Sequence, residues 1–454
     1  MQDILPKSIQ NLAKTCPNPL YIVGGSVRDY LAKLPSAIHD WDICSPMSAE
    51  TFSEIAKREG FFIQAVYRNT GTVKFSDGEN EYEYACFRSD KYVRGTHVPV
   101  EIFFTDDILL DAKRRDFTVN AIYYDVAKGE FVDPLGGIPA IQERRLTTVD
   151  DAKKVFGEDG LRLLRLARQA AQLGFHPDDA CLNGAKKNAT LIRDISPERI
   201  WEELLTILTA DQKCGIQGAP YHGFTLLEQT GILAEIMPEL TLGKGLTQRP
   251  DFHRYDVLEH SLKSLLYIEP NSTDATLRLA ALLHDVGKPY CMLQTGNAHA
   301  HHEEGARIAK EILTRLKAPK KVCERIPALI EWHMYDLDCK VRENKLRRFF
   351  VTHFPLLEDL LLLKQADFSA CMDNLSTAPT CLRWRKLLDQ MQRENVPFTL
   401  KELAVNGNDL LHLGIPPTKL SGLLQKLLLH TACTPTDNSR ERLLRLAVGF
   451  ANTL

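Results

Sequence analysis

The chain has 454 residues, more than a single growing core accommodates, so several domains are expected. Its 44% hydrophobic and 25% charged content is that of a globular protein and excludes a disordered or low-complexity chain. A formal net charge of −3 supplies no global attraction to nucleic acid, and leaves any phosphate partner to a local basic face. The eleven cysteines form no C-x-x-C pair or disulfide-like framework. Cys86, Cys181 and Cys371 stand in apolar runs and read as small buried hydrophobes of a reducing compartment. With no basic-then-apolar leader pattern at the N-terminus and no apolar run long enough for a bilayer, a cytoplasmic protein is expected.

Up to about residue 135 the signals are mixed. "LYIVGG" (20–25) and "WDICS" (41–45) are short apolar runs ended by turn formers, with a helix-spaced "SVRDYLAKL" between them. "FFIQAVY", "GTVKF", "YEYACF" and "VPVEIFF" follow, all rich in β-branched or aromatic residues. A mixed sheet with helices on one side is predicted. After "DPLGG" (133–137) the periodicity turns helical and stays so: "GEDGLRLLRLARQAAQLGF" (157–175) repeats Leu and Arg at three- and four-residue spacing. "SPERIWEELLTIL" opens with a Ser N-cap and Pro at the first helical position. "DATLRLAALLHDVGKP" and "LEDLLLLKQADFSAC" read as buried helices.

Three polar constellations interrupt the first half. In "HDWDIC", a strand would turn Asp40 and Asp42 to one face and Trp41 and Ile43 to the core. Two such carboxylates repel unless a cation lies between them, which suits Mg²⁺; a capped turn or a solvated strand edge are the other readings. "GGSVRD" places Gly24 and Gly25 where bare N–H groups can hold a phosphate, with Arg28 one turn in, or is a plain strand-to-helix turn. "RRDFTVNA" gathers Arg114, Arg115, Asp116 and Asn120, as a nucleotide pocket or a solvated cluster opening a helix.

Together, G-G-x-V-R-D, D-x-D and R-R-D-F-T-x-N-A resemble the class II tRNA nucleotidyltransferases and the related bacterial poly(A) polymerases. "GEDGLR" resembles that family's E-D-x-x-R neck helix, which implies that Asp159 and Arg162, with Arg165, read the base edge of CTP or ATP. Asp159 accepts from an exocyclic amine, Arg162 donates, and i,i+3 spacing on one helix sets both on one face. Glu83, in "EYEYACFR", matches a family carboxylate beside D-x-D and is a third acidic group or a strand-face residue. "FRSDKYVRGTHVPVE" (87–101) occupies the place of the family's flexible loop, with "THVP" where Arg-Arg-Pro is usual. "ISPERIWEEL" is similar to a bracing motif of the neck.

A second set, "DVLEHSL" with "LAALLHDVGKP", looks like an HD phosphohydrolase domain. His260, His284, Asp285 and Asp367, together with His302 and His333, are the expected ligands of a divalent transition metal that activates water; a retained scaffold is the alternative. "FTLKELAVNGNDLLHLGI" and "NSRERLLRLA" resemble the family's tail.

The fold class expected is multidomain: an α/β nucleotidyltransferase (polymerase-beta-like) head with a mixed sheet, then all-α neck, body, HD and tail domains. The segments are 1–140, 141–205, 206–250, 251–370 and 371–454. The resemblance implies addition of CCA to the 3′ end of tRNA from CTP and ATP, without a nucleic-acid template and with two Mg²⁺ ions held by Asp40 and Asp42. The alternatives are a CC-only or A-only enzyme, a poly(A) polymerase, a chain that is chiefly an HD phosphohydrolase, or a tRNA chaperone. Lys186, Lys187, Lys320, Lys321, Arg347 and Arg348 are candidate tRNA contacts.

Overall fold

The computed structural model describes residues 1–34, 41–93 and 99–451. They form two compact units, Met1–Leu242 with Ile312–Pro319 and Gly243–Glu311 with Lys320–Leu454. In the first unit the strands are β1 (Tyr21–Val23), β2 (Trp41–Ser45), β3 (Phe62–Tyr67), β4 (Thr72–Ser76), β5 (Glu81–Cys86), β6 (Arg88–Lys91), β7 (Glu101–Phe104), β8 (Tyr123–Asp125), β9 (Glu130–Val132) and the short parallel pair β10 (Arg145–Leu146) and β11 (His176–Pro177). Seven of them make one mixed sheet in the order β3-β4-β5-β2-β1-β8-β9, while β6 and β7 pair as a separate ribbon. Within the large sheet β2 and β5 run parallel and the other neighbours antiparallel. The apolar runs read as strands are therefore strands, and the head is the α/β layer expected.

Alternation explains which face is the core. Tyr82, Tyr84 and Cys86 of β5 are buried while Glu81 and Glu83 are exposed. Helix Ala49–Arg58, capped by the Ser48 hydroxyl accepting from Thr51 N–H at 3.2 Å, lays Phe52 flat on Tyr84 with ring centroids 3.8 Å apart. Such a pair adds about 0.5–1.5 kcal/mol beyond its buried area.

The neck departs from the reading at one point. The stretch expected as one helix is two, Ala152–Glu158 and Leu161–Leu173, with Asp159 extended between them (φ −139°, ψ 108°). Asp159 ends the first helix, Gly160 is the N-cap of the second, and the Asp159 carboxylate accepts from Leu161 N–H at 2.9 Å, so Asp159 stands at the break between the two. Helix Leu161–Leu173 buries Leu163, Leu164 and Leu166 and packs against Pro197–Leu208 and Ala219–Gln229. Ser196 has the extended backbone of an N-cap, yet its side chain makes no cap bond.

In the second unit, helix Val257–Ile268 packs against both Ala275–Leu283 and Leu357–Met372. Among the described residues no helix is long and apolar enough to cross a membrane. Arg347 is corrected as a tRNA contact: it is buried, donating to Glu394 at 2.5 and 3.1 Å and to Glu343 at 2.9 Å, whereas Lys186, Lys187, Lys320, Lys321 and Arg348 are exposed.

Candidate functional site

The first unit holds a cavity of about 500 Å³ that collects residues scattered over the first half of the sequence. Gly24, Gly25, Arg28, Asp42, Arg114, Arg115, Asp116, Asn120, Asp159, Arg162 and Arg165 all line it. Asp40 lies outside the described residues. Glu83 is Asp42's register partner across the parallel β2–β5 pair and shares its face, but it does not line the cavity. Its other neighbour is Lys74 on β4.

Asp42 stands exposed on β2 between Trp41 (4% exposed) and Ile43 (1%), as alternation predicts. Gly24 makes room for it. With φ +81° and a carboxylate oxygen of Asp42 2.9 Å from where a Cβ would sit, only glycine fits without strain. The following helix, Gly25–Leu31, carries Arg28 buried beside Asp29 (2.5 Å).

From Arg28 a polar chain crosses the cavity floor. Arg28 donates to the Asn120 side-chain carbonyl at 2.8 Å, Asn120 donates to Asp116 at 2.8 Å, and Asp116 accepts from Arg165 at 2.8 and 2.6 Å. Burial alone would push the Asp116 carboxyl up; Arg165 and Asn120 reverse that and hold it well below the usual range. Asp111, fully buried, accepts from Arg114 at 2.7 Å, Arg115 at 3.1 Å and the Tyr123 hydroxyl at 2.7 Å. Against its burial, the two arginines bring its carboxyl down to about 2. Asp111 thus fixes both members of the Arg-Arg pair that the cavity presents.

Seven basic side chains line the cavity against the carboxylates of Asp42, Asp116 and Asp159, which suits a polyanion with a cation at Asp42. Arg162 is almost fully buried and donates to the carbonyls of Val155 (3.0 Å) and Arg114 (2.6 Å), with Asp159 at 4.0 Å. The two proposed base readers therefore face the same space across a helix break, not along one helix.

Sequence reasoning missed several lining residues. Tyr92 places its ring 5.5 Å from the Arg162 guanidinium, Lys213 reaches Asp29 at 3.3 Å, and Arg168 and Gln169 complete the wall. Arg168 is held by buried Glu203 at 3.1 Å. Glu203 is the third glutamate of "ISPERIWEEL", so the motif carried a signal for it; Lys213 had none.

The second unit contains a tight cluster of imidazoles and carboxylates. His260 Nε2 lies 3.1 Å from His284 Nε2, 3.3 Å from Asp285 and 3.1 Å from Asp367. His333 Nε2 is 3.9 Å from Asp285. His302 is not in the cluster; its ring is partly exposed, and its nearest carboxylate is Glu303 at 3.9 Å. The adjacent His301 takes that place, with Nε2 3.2 Å from Asp285. Gly287 permits this: a Cβ there would meet the His301 carbonyl at 2.2 Å.

His284, His301 and His333 each direct Nδ1 to the backbone carbonyl three residues earlier, at 2.8, 2.8 and 2.6 Å. That bond places the proton on Nδ1 and leaves Nε2 as a lone pair. Lone pairs facing carboxylates need a positive centre between them. Nε2 of His301 and of His333 are buried without a hydrogen-bond partner among the described residues. Without such a centre a proton on Nε2 supplies the charge at His284: burial would lower its pKa, but Asp285 and Asp367 raise it to about 10, and a metal would take that proton's place. The donor set fits a divalent transition metal. Beside it opens a cavity of about 1360 Å³, lined by Asp285, Lys288, His301 and Asp367 among others.

Comparison with known proteins matches three regions to family profiles: "Poly A polymerase head domain" over 20–147, "Probable RNA and SrmB- binding site of polymerase A" over 174–242, and "HD domain" over 257–367. An A-adding tRNA nucleotidyltransferase of Deinococcus radiodurans is 33% identical over 361 residues, covering 77% of this chain and 76% of that protein. The crystal structure of the Bacillus stearothermophilus CCA-adding enzyme in complex with CTP superposes with TM-score 0.68 at 24% identity over 98% of both chains. The Thermotoga maritima CCA-adding enzyme complexed with tRNA gives TM-score 0.61 at 17% identity, over 98% of this chain and 95% of that one. The structural likenesses establish the fold, and the sequence relationship establishes kinship: the chain belongs to the tRNA nucleotidyltransferase and poly(A) polymerase family, in a form that carries an HD domain.

Proposed function

We propose that this chain adds C, C and A to the 3′ end of tRNA from CTP and ATP without a nucleic-acid template, in the cytoplasm. The terminal ribose 3′-oxygen bonds to the α-phosphorus, the α–β phosphoanhydride breaks, and pyrophosphate leaves. The observation that carries this reading is the convergence, in one basic cavity, of Asp42, the Gly24–Gly25 turn and the base readers Asp159 and Arg162.

Asp40 and Asp42, with Glu83 as a third acid, would hold two Mg²⁺ ions, whose chemistry is to favour deprotonation of the attacking hydroxyl and to neutralise the triphosphate. Gly24, Gly25 and Arg28 cradle the phosphates, with Arg114 and Arg115 supporting triphosphate or sugar. Asp116 and Asn120 fix the pocket wall, and Arg165, tied to Asp116, orients beside the base. The segments expected from sequence are assigned accordingly: head 1–140, neck 141–205, body 206–250, HD domain 251–370 and tail 371–454, with tRNA bound by body and tail. In the HD segment His260, His284, Asp285 and Asp367, with His301 and His333, would hold a divalent transition metal for phosphoester hydrolysis.

The test is the product pattern on tRNA transcripts ending before CCA or after CC, and on an unrelated RNA. CTP alone should add two residues to the first, ATP alone one to the second, and both together three to the first. The 33% identical relative, an A-adding enzyme, favours a second reading in which only the A is added. It predicts no CTP incorporation at all. Homopolymeric A tails on the unrelated RNA would overturn both.

A further inference from the structure

Next to the HD cluster lie two side chains that the hydrolase reading does not use. Cys371 follows Asp367 by four residues on helix Leu357–Met372, so both project from one face. Its backbone carbonyl accepts from Arg254 N–H at 2.8 Å, which pins the segment carrying His253 against the end of that helix. The ring of His253 stands perpendicular to that of His260, centroids 5.0 Å apart. One ligand atom from each of His253, His260 and Cys371 falls within 4.8 Å of the others.

His260 is fully buried. Its Nε2 faces His284 and the two aspartates, while its Nδ1 has no hydrogen-bond partner among the described residues. The Nδ1 of His253 is likewise buried and unpartnered. Two orphaned imidazole nitrogens in one place are costly, about 1–3 kcal/mol each, unless something binds them. A thiol and two imidazoles make a soft donor set, unlike the carboxylate-rich cluster beside it. An entry path exists, because His253 and Cys371 both line the cavity of about 1360 Å³.

We infer that His253, His260 and Cys371 form a metal site distinct from the HD set, which takes a thiophilic divalent ion such as Zn²⁺ or Co²⁺ and releases the Cys371 thiol proton to solvent as the sulfur–metal bond forms. The inference extends the HD reading by a sulfur ligand and shares His260 with it, but it does not require the HD cluster to hydrolyse any substrate.

The test is titration of the full chain with Co²⁺, free of other metals. A thiolate-to-cobalt charge-transfer band in the near ultraviolet is expected, and it should disappear in Cys371→Ser and in His253→Ala. As a measurement free of substitution, saturating Zn²⁺ should slow alkylation of Cys371 by iodoacetamide at least several-fold, read by peptide mass spectrometry against Cys323. Cobalt absorption in the visible without the charge-transfer band would load the HD cluster alone and overturn the inference, leaving the hydrolase reading in place. A band that survives Cys371→Ser, or alkylation of Cys371 that ignores Zn²⁺, overturns it too. Failure to bind cobalt at all removes both sites.

Discussion

The head cavity and the HD cluster solve opposite electrostatic problems. The head surrounds one exposed carboxylate, Asp42, with arginines whose own counter-charges, Asp29, Asp111 and Asp116, sit behind them. That arrangement suits an anion. The HD cluster points imidazole nitrogens, buried Asp285 and half-buried Asp367 at a common centre, an arrangement that suits a cation. Charge composition is therefore a poor guide to a site. What counts is which partners are already satisfied from behind, and so which sign of charge is still wanted in front.

Five substitutions and one change of pH test this contrast. The largest effect is expected of Asp42→Ala, which should lower nucleotide incorporation by about three orders of magnitude or more while leaving any phosphoesterase activity intact. Asp285→Ala should do the reverse, with both activities followed on the same preparations. Incorporation that survives Asp42→Ala would remove the metal assignment in the head. Next, Arg162→Ala should cost about 100-fold in kcat/KM for the cognate nucleotide and relax discrimination against UTP and GTP, as competition assays would show.

Third, Asp116→Asn should destabilise the protein by about 2–4 kcal/mol, towards the lower end because the Arg165 side chain it holds is 36% exposed. Urea unfolding measures this. Acid should act in the same direction through Asp111. With its folded pKa lowered to about 2 against an unfolded value of about 3.9, its contribution is complete above about pH 4 and is lost as pH falls from there through about 2. Stability that stays flat down to pH 2.5 would contradict the Asp111 pairing. The smallest effect belongs to Tyr92→Ala, which removes the ring beside Arg162 and should raise KM for nucleotide about twofold to fivefold.

How far the sequence reached depends on whether a feature is local. Strand alternation and turn glycines are written in consecutive residues, so the sheet, Asp42's exposure and the Gly24 turn were all legible. Asp159 was misplaced because Leu and Arg spacing masked a break that Gly160 signals. His301 and His302 are chemically identical neighbours, and which ring turns inward is set by packing, where the His301 carbonyl passes close to Gly287, and not by the local sequence. Tyr92, Lys213, His253 and Cys371 meet partners tens to over a hundred residues away. Cys371 read as a packed hydrophobe because its helix is apolar, and no periodicity reveals that an imidazole from residue 253 lies beside it.

The register between β2 and β5 has a consequence for how this protein folds. Asp42 and Glu83 share a face because the two strands align residue for residue, Trp41 with Tyr82 and Ile43 with Tyr84. A slip of either strand by one residue would turn its carboxylate into the aromatic core and its aromatic or aliphatic residues into water. Burying one uncompensated carboxylate costs several kcal/mol, so slipped pairings are strongly disfavoured during assembly. Refolding should therefore yield native pairing or no sheet at all: whenever the head regains its structure, its acidic residues arrive aligned, and recovery of activity should track recovery of fold one for one.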